Sequence, residues 1–183
     1  MPSYTSDQIR NVALVGHSGA GKTTLFEALL HAGGTIQAAG SVERGTSVSD
    51  FDPMEKARQH SLNSVIASID HGGIHVNLID TPGYPDFRGP TLSALAAVET
   101  CAVVVNGQNG IEYSTHRMME YAKARGLCRL LIVNKIDGAN LPLLVDHFMK
   151  KFAADQGRTI TGITPAALKR IEEHDWPGNV REL

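Results

Sequence analysis

The eight residues GHSGAGKT, from Gly16 to Thr23, constrain the possible folds more than any other part of the sequence. They match the pattern G-x-x-x-x-G-K-[ST], follow the apolar stretch NVALV and open the helical pattern KTTLFEALL. Such a loop needs a strand before it and a helix after it, because its inward-facing amides and the first helical turn together surround phosphate groups. The motif therefore predicts an α/β domain of the P-loop NTPase kind.

Within this loop, two side chains have distinct expected roles. Lys22 is expected to place a positive charge between the outer phosphates and so to assist catalysis, and the Thr23 hydroxyl is expected to coordinate Mg²⁺. The other contacts should come from main-chain amides. The predicted phosphate-binding residues are Gly16, His17, Ser18, Gly19, Ala20, Gly21, Lys22, Thr23 and Thr24. This motif alone does not distinguish ATP from GTP.

A second motif, DTPG, ends the apolar stretch IHVNLID. A carboxylate at this strand end can hold Mg²⁺ through water, and the glycine beyond it leaves a main-chain N–H free to meet a third phosphate. We therefore expect the following loop to sense whether that phosphate is present. The motif adds Asp80, Thr81, Pro82 and Gly83 to the predicted nucleotide-binding residues, with Asp80 also a metal ligand.

The third motif, NKID, follows the apolar stretch LLIV and covers residues 134–137. The carboxylate of Asp137 can accept hydrogen bonds from both N1 and N2 of guanine, and adenine lacks these two donors. Lys135 is expected to lie along the plane of the base, and Asn134 to brace the phosphate loop. Because this tetrapeptide follows the phosphate loop and the DTPG motif in the sequence, it favours guanine over adenine.

Up to residue 138, apolar stretches alternate with helical patterns, which predicts a mostly parallel sheet with helices on both faces. The His-Gly-Gly corner at 71–73 predicts a hairpin and hence one antiparallel edge strand. Residues 33–59 have no period and are expected to form a switch or lid. The predicted strands are 11–16, 62–71, 73–80, 101–106 and 129–134, and the predicted helices are 22–30, 90–99, 113–125, 141–154 and 165–174.

The length and charge of the chain limit the kinds of partner that it can be expected to bind. The 183 residues suffice for one packed domain and a small appendage, and the net charge of −2 is scattered, so we expect neither sequence-specific DNA binding nor a membrane surface as partner. The chain has no signal pattern and no apolar run of about 20 residues, so we expect a soluble, cytoplasmic protein. We also expect it to be a monomer. The two cysteines, Cys101 and Cys128, are expected to be buried, reduced thiols.

The three motifs and their spacing resemble the GTP-binding domain of translational GTPases, and elongation factor G and its close relatives in particular. The resemblance covers residues 10 to about 138 through RNVALVGHSGAGKTTLFEALL, FDPMEKARQHSLNSVIASI, NLIDTPGYPDFRGPTLSALAAVETCAVVVNGQNGIEYST and LLIVNKIDG. It implies a domain that binds GTP or GDP with Mg²⁺ and hydrolyses GTP after contact with the ribosome.

The chain departs from this family near the third phosphate. The family usually has a histidine after DTPG that orients the attacking water, and this chain has Tyr84. A phenol is a poor proton acceptor at neutral pH, so nucleotide binding is a firmer expectation than hydrolysis. The family's switch threonine corresponds to Ser61, whose hydroxyl can still reach the metal, and the neighbouring His60 is expected to face solvent.

After Gly138 the pattern changes. In place of the family's next strand and its Ser-Ala loop, residues 141–183 resemble the helical lid of AAA+ transcription activators that work with the alternative sigma factor. In those proteins the arginine of GNVREL, here Arg181, senses ATP phosphates. No second phosphate loop is present, so an incomplete helical bundle is expected instead. This predicts a truncated GTP-binding domain over 1–138 and a short helical C-terminal appendage over 139–183.

Three functions remain open from the sequence. The first is a GTPase of the elongation factor G type. The second is a nucleotide-binding switch or interaction module with little hydrolysis, which Tyr84 and the missing guanine-backing loop favour. The third is a fragment of an ATP-driven transcription activator, which only residues 141–183 favour.

Overall fold

A computed structural model describes residues 4–49, 51–58, 60–84, 86, 88–107, 111–136 and 164–166. After a short 3-10 turn, the strands are β1 (Ile9–Val15), β2 (Val65–His71), β3 (Ile74–Asp80), β4 (Thr100–Asn106) and β5 (Cys128–Asn134). The helices are α1 (Lys22–Ala32), α2 (Pro53–Arg58), α3 (Arg88–Ala96) and α4 (Tyr113–Ala124).

The five strands form one sheet in the order β2-β3-β1-β4-β5. Among the strands of the described residues, only β2 runs antiparallel to its neighbour, through a hairpin that turns at residues 72–73, and the other three pairings are parallel. The predicted α/β fold, with its mostly parallel sheet and single antiparallel edge strand, is confirmed. Because parallel strands end at the same edge of the sheet, the segments that follow β1, β3 and β5 lie at one edge.

Helices cover both faces of the sheet, as predicted, because successive residues of a strand point to opposite faces. On one face Leu14 and Val104 pack with apolar residues of α1, including Phe26. On the other face Val15 and Val103 pack in a cluster that includes residues of α3 and α4. β4 is almost wholly buried, so the core runs through the middle of the sheet.

Several predicted boundaries were wrong. The segment 33–59 contains α2, whose six residues are too few to show a helical period in the sequence. The predicted strand 62–71 begins only at Val65, because the amides of residues 62 and 63 bond to a side chain of α2 instead of to the sheet. The predicted helix 90–99 begins at Arg88 and ends at Ala96. The predicted helix 141–154 lies outside the described residues, as does 165–174 except for residues 165 and 166.

The two cysteines differ in exposure. Cys101 is buried, and Cys128 is exposed at the start of β5, so the expectation of two buried thiols was wrong for Cys128. Burial raises the pKa of Cys101 to about 12, although the charge of Arg129 acts in the opposite direction. Since the thiolate is the reactive form of a cysteine, Cys101 should be inert in the folded protein.

This difference predicts the outcome of thiol alkylation. With the folded chain at about pH 8, iodoacetamide should modify Cys128 and leave Cys101 unmodified, because Cys101 is both inaccessible and protonated. Mass spectrometry should find one label on the folded chain and two in denaturant. The Cys128→Ser variant is the control and should take up no label when folded. Two labels added at equal rates to the folded chain would contradict the described packing of β4.

Candidate functional site

A cleft of about 400 Å³ opens where β1 and β3 end. Its walls come from the phosphate loop, from the segment between α1 and β2, from the loop after β3 and from the residue after β5. The predicted site residues in its lining are Ser18, Gly19, Gly21, Lys22, Thr23, Thr24, Ser61, Thr81, Gly83 and Lys135. The lining residues that sequence reasoning missed are Gly40, Ser41, Val42, Glu43 and His60. The absence of any period in 33–59 was the only signal for the first four.

The remaining predicted site residues fall into three groups. Tyr84 follows the cleft residue Gly83 and is 41% exposed. Asp137 lies outside the described residues. The others are buried around the lining: Gly16, His17, Ala20, Asp80, Pro82 and Asn134.

Lys22 lies along the inside of the phosphate loop. Its Nζ donates a hydrogen bond of 2.9 Å to the carbonyl oxygen of His17, and the residue is only 6% exposed. Burial lowers the pKa of Lys22 to about 8, while the negative charge of Asp80 opposes this shift. A buried ammonium is poorly solvated, so an anion entering the cleft would be attracted to it.

Three oxygen atoms from separate segments meet beside Lys22. The Thr23 hydroxyl, at the start of α1, donates to Asp80 Oδ2 at 2.7 Å and lies 3.3 Å from Ser61 Oγ. Carboxylate and hydroxyl oxygens are hard donors of the kind that Mg²⁺ prefers, so the set fits this ion. No group of three His, Cys, Asp or Glu side chains suited to a metal occurs in the part of the chain that the structure describes.

The third motif is joined directly to the phosphate loop. Asn134 Nδ2 donates to the carbonyl oxygen of Ala20 at 3.0 Å, and its Oδ1 accepts from the amide of Lys135 at 2.9 Å. Gly21 has a φ of +93°, and a Cβ there would overlap the Asn134 amide. The carboxyl end of β5 therefore holds the loop from behind, and the backbone turns sharply at Lys135, where φ is +54°.

Gly83 lies directly against the phosphate loop. A Cβ at this position would be 2.7 Å from the main-chain nitrogen of Ser18 and would overlap Lys22 Nζ. Only a residue without a side chain allows the loop after β3 to come this close. The DTPG motif and the phosphate loop are therefore in van der Waals contact.

The side chain of His17 points away from the cleft. It is 1% exposed, its Nδ1 lies 3.2 Å from the hydroxyl of Thr115, and its Nε2 lies 3.6 Å from the carboxylate of Glu112. Burial lowers the pKa of His17, while Glu112 opposes the shift. His17 thus offers the cleft only its main chain, and its ring joins the phosphate loop to the start of α4.

A buried carboxylate on α1 holds the first part of the 33–64 segment. Glu27 is 1% exposed, its Oε2 accepts from the amide of Gly40 at 2.8 Å, and its Oε1 accepts from the Ser47 hydroxyl at 2.8 Å and the Val48 amide at 2.6 Å. Sequence reasoning missed this role, because a glutamate in a helical pattern normally faces solvent. The contact fixes residues 40–48 beside the cleft.

A second buried carboxylate holds the end of the same segment. Glu55, in α2, is 1% exposed, and its Oε1 accepts from the amides of Leu62 at 2.9 Å and Asn63 at 3.1 Å. Its main-chain carbonyl accepts from the amide of His60 at 3.3 Å. Residues 60–63 are therefore tied to α2, which fixes the position of Ser61 next to Thr23.

These carboxylates make a testable contribution to stability. Glu27→Gln should lower the free energy of unfolding by about 1–3 kcal/mol, because the amide nitrogen cannot accept and leaves at least one partly buried donor unsatisfied. Urea unfolding of both proteins measures the difference. Glu120→Gln, a surface position on α4, is the matched control and should change the stability by less than about 0.5 kcal/mol. Equal effects of the two substitutions would show that the buried bonds do not stabilise the fold.

The sheet, the phosphate loop and the two further motifs around one cleft define a P-loop GTPase domain. The model of the family described as elongation factor Tu GTP binding domain matches residues 7–174, so the chain belongs to the GTP-binding domains of translational GTPases. The match continues past the predicted boundary at residue 138. Among the described residues, no helix is long and apolar enough to cross a membrane.

Two groups of curated relatives illustrate this membership. An elongation factor G-like protein of Mycobacterium tuberculosis is 42% identical over 131 residues, which are 72% of this chain and 18% of the relative. Peptide chain release factor 3 of Gloeothece citriformis is 39% identical over 135 residues, 72% of this chain and 25% of the relative. The chain thus spans a quarter or less of the length of each relative.

Solved structures share the fold. A crystal structure of a protein from Thermus thermophilus has a TM-score of 0.76 and 37% identity, over 79% of this chain and 22% of that protein. The translation elongation factor SelB of Methanococcus maripaludis, solved in complex with a GTP analogue, has a TM-score of 0.59 and 18% identity, over 78% of this chain and 26% of that protein. At this lower identity the likeness concerns the fold alone.

Proposed function

We propose that this chain binds GTP and GDP with Mg²⁺ in the cleft and hydrolyses GTP to GDP and phosphate during protein synthesis. The observation that carries the proposal is the convergence of Lys22, Thr23, Ser61 and Asp80 beside the phosphate loop. These four residues come from three segments of the chain, and together they match an anionic, metal-bound ligand.

In this proposal the amides of the phosphate loop surround the phosphates, and Lys22 neutralises charge between the outer two. Thr23 and Ser61 offer hydroxyls to Mg²⁺, and Asp80 holds it through water. The bound ion would supply positive charge next to the phosphoryl oxygens. The contact of Gly83 with Ser18 and Lys22 supports a role for the loop after β3 in detecting the third phosphate.

The guanine base is assigned to the third motif. Lys135 lines the cleft, and Asn134 bonds to the phosphate loop, so the NKID segment begins beside the cleft, which supports this assignment. Asp137 lies outside the described residues and is proposed to accept from N1 and N2 of guanine. The family membership supports this choice of base.

One substitution at the proposed guanine contact should reverse the preference for the base. Asp137→Asn should weaken GTP binding about 10- to 150-fold, because a charge-assisted pair worth about 1.5–3 kcal/mol is lost. Xanthosine triphosphate should bind better than GTP, since the new amide can donate to the O2 of xanthine. Competition titrations with GTP, xanthosine triphosphate and ATP measure the order. An unchanged preference for GTP would show that Asp137 does not bind the base. Equal binding of GTP and ATP by the parent chain would contradict the assignment of guanine.

If Thr23 is a magnesium ligand, its removal should make GTP binding depend less on Mg²⁺. Thr23→Ala should weaken GTP binding at least about tenfold in the presence of Mg²⁺ and have a smaller effect in EDTA, because only the metal-bound state loses a ligand. Thr35→Ala is the matched control, since this hydroxyl bonds to the Ser68 carbonyl oxygen on β2. The same loss of affinity with and without Mg²⁺ would refute the metal role.

The finer type of translation factor is also a proposal. The resemblance favours the elongation factor G type, and the relatives include both elongation factor G-like proteins and peptide chain release factors. The proposed partner is the ribosome, which the family membership supports. GTP hydrolysis in a single turnover, with and without ribosomes, tests this: acceleration by ribosomes supports it, and an unchanged rate contradicts it.

A second candidate is a nucleotide-binding switch with little hydrolysis. It is favoured by Tyr84, which is 41% exposed and stands where the family usually has a histidine. Tight GTP binding without turnover, even with ribosomes, would select this function. The likeness of residues 141–183 to an AAA+ lid, including Arg181, stays a prediction, because it concerns residues outside those described, apart from 164–166.

A further inference from the structure

His60 lies in the wall of the cleft, whereas the sequence analysis expected it to face solvent. It is half-buried and lines the cleft next to Ser61. Its ring contacts the ring of Tyr84, with 4.5 Å between centroids and an angle of 40° between the planes. The two aromatic side chains therefore form one cluster that joins the 33–64 segment to the loop after β3.

The hydrogen bond of the His60 ring fixes which nitrogen carries the proton. Nδ1 lies 2.8 Å from the main-chain carbonyl oxygen of Arg58. A carbonyl oxygen can only accept, so Nδ1 donates the hydrogen bond. In the neutral ring Nε2 is then the atom with a free lone pair, and it can accept a hydrogen bond from water.

The main chain on both sides of this ring is held by Glu55. The carbonyl oxygen of Glu55 accepts from the His60 amide, and its carboxylate accepts from the Leu62 and Asn63 amides. A ring that these bonds already orient loses little conformational freedom when it binds a water molecule. It can therefore position that water at a small entropic cost.

The cluster stands at the phosphate end of the cleft. His60 precedes Ser61, whose hydroxyl is 3.3 Å from that of Thr23, and Tyr84 follows Gly83, which packs on Lys22. Each ring therefore belongs to a residue next in sequence to one that contacts Lys22 or Thr23. A water molecule next to a terminal phosphate there would lie near these two side chains.

We propose that His60 is a water-positioning residue for GTP hydrolysis, an inference that rests on the proposed function. Nε2 of His60 accepts a hydrogen bond from the water and directs its oxygen at the γ-phosphorus. The new P–O bond forms while the bond from the γ-phosphorus to the bridging oxygen breaks, and that electron pair stays on GDP. The protons of the water end on the released phosphate and in solvent. The ring of Tyr84 supports the plane of the imidazole.

The test compares His60→Ala and His60→Gln with the parent chain, with His71→Ala, an exposed position on β2 outside the cleft lining, as the control. At saturating GTP the single-turnover rate of His60→Ala should fall about 10²-fold, because the water loses its orientation. His60→Gln should recover part of the rate, since the amide oxygen can accept the same hydrogen bond. GTP and GDP affinities should change less than twofold, and His71→Ala should match the parent in every measurement.

The results that would contradict the role of His60 differ from those that would contradict the proposed function. Parent-like hydrolysis by His60→Ala, an alanine rate equal to the glutamine rate, or a loss of affinity that accounts for the fall in rate would each overturn the role of His60. A parent chain that fails to bind GTP, or that binds but does not cleave it even with ribosomes, would instead overturn the proposed function. The affinity of the parent and the ratio of variant rates therefore separate the two failures.

Discussion

The hydrogen bond between the Thr23 hydroxyl and Asp80 Oδ2 is the contact on which the cleft depends. It forms because β1 and β3 are adjacent and parallel, with Leu14 opposite Asp80 in the register, so the end of β3 lies beside the phosphate loop. Ser61 and Gly83 then approach the same corner from two sides. A shift of this register by one residue would send the Asp80 side chain to the other face of the sheet and remove the oxygen cluster.

Polar bonds hold the segment between α1 and β2. The carboxylates of Glu27 and Glu55 accept several main-chain amides from it, whereas Val48, Phe51 and Met54 are exposed. A segment that buries little apolar surface opens at a lower free energy than the central strands do. We therefore expect the segment that carries Ser61 and His60 to open more readily than the sheet unfolds.

Sequence patterns predicted the sheet, the hairpin and helices on both faces, because these depend on local periodicity and on short motifs that carry their own geometry. They did not predict α2, whose position depends on bonds between Glu55 and residues several places further along the chain. His60 was assigned to solvent for the same reason, since its ring contacts Tyr84, which is distant in the sequence. Cys128 was assigned to the interior because an apolar strand does not reveal which of its ends is exposed.

The exposed thiol of Cys128 has a practical consequence. It begins β5, whereas the bond from Asn134 to the phosphate loop is made where β5 ends. Seven residues of strand separate the two ends by roughly 20 Å, at about 3.3 Å per residue. A fluorophore or a surface tether attached to this cysteine would therefore be held at the opposite edge of the sheet, so the chain already carries a reporter position that leaves its cleft open.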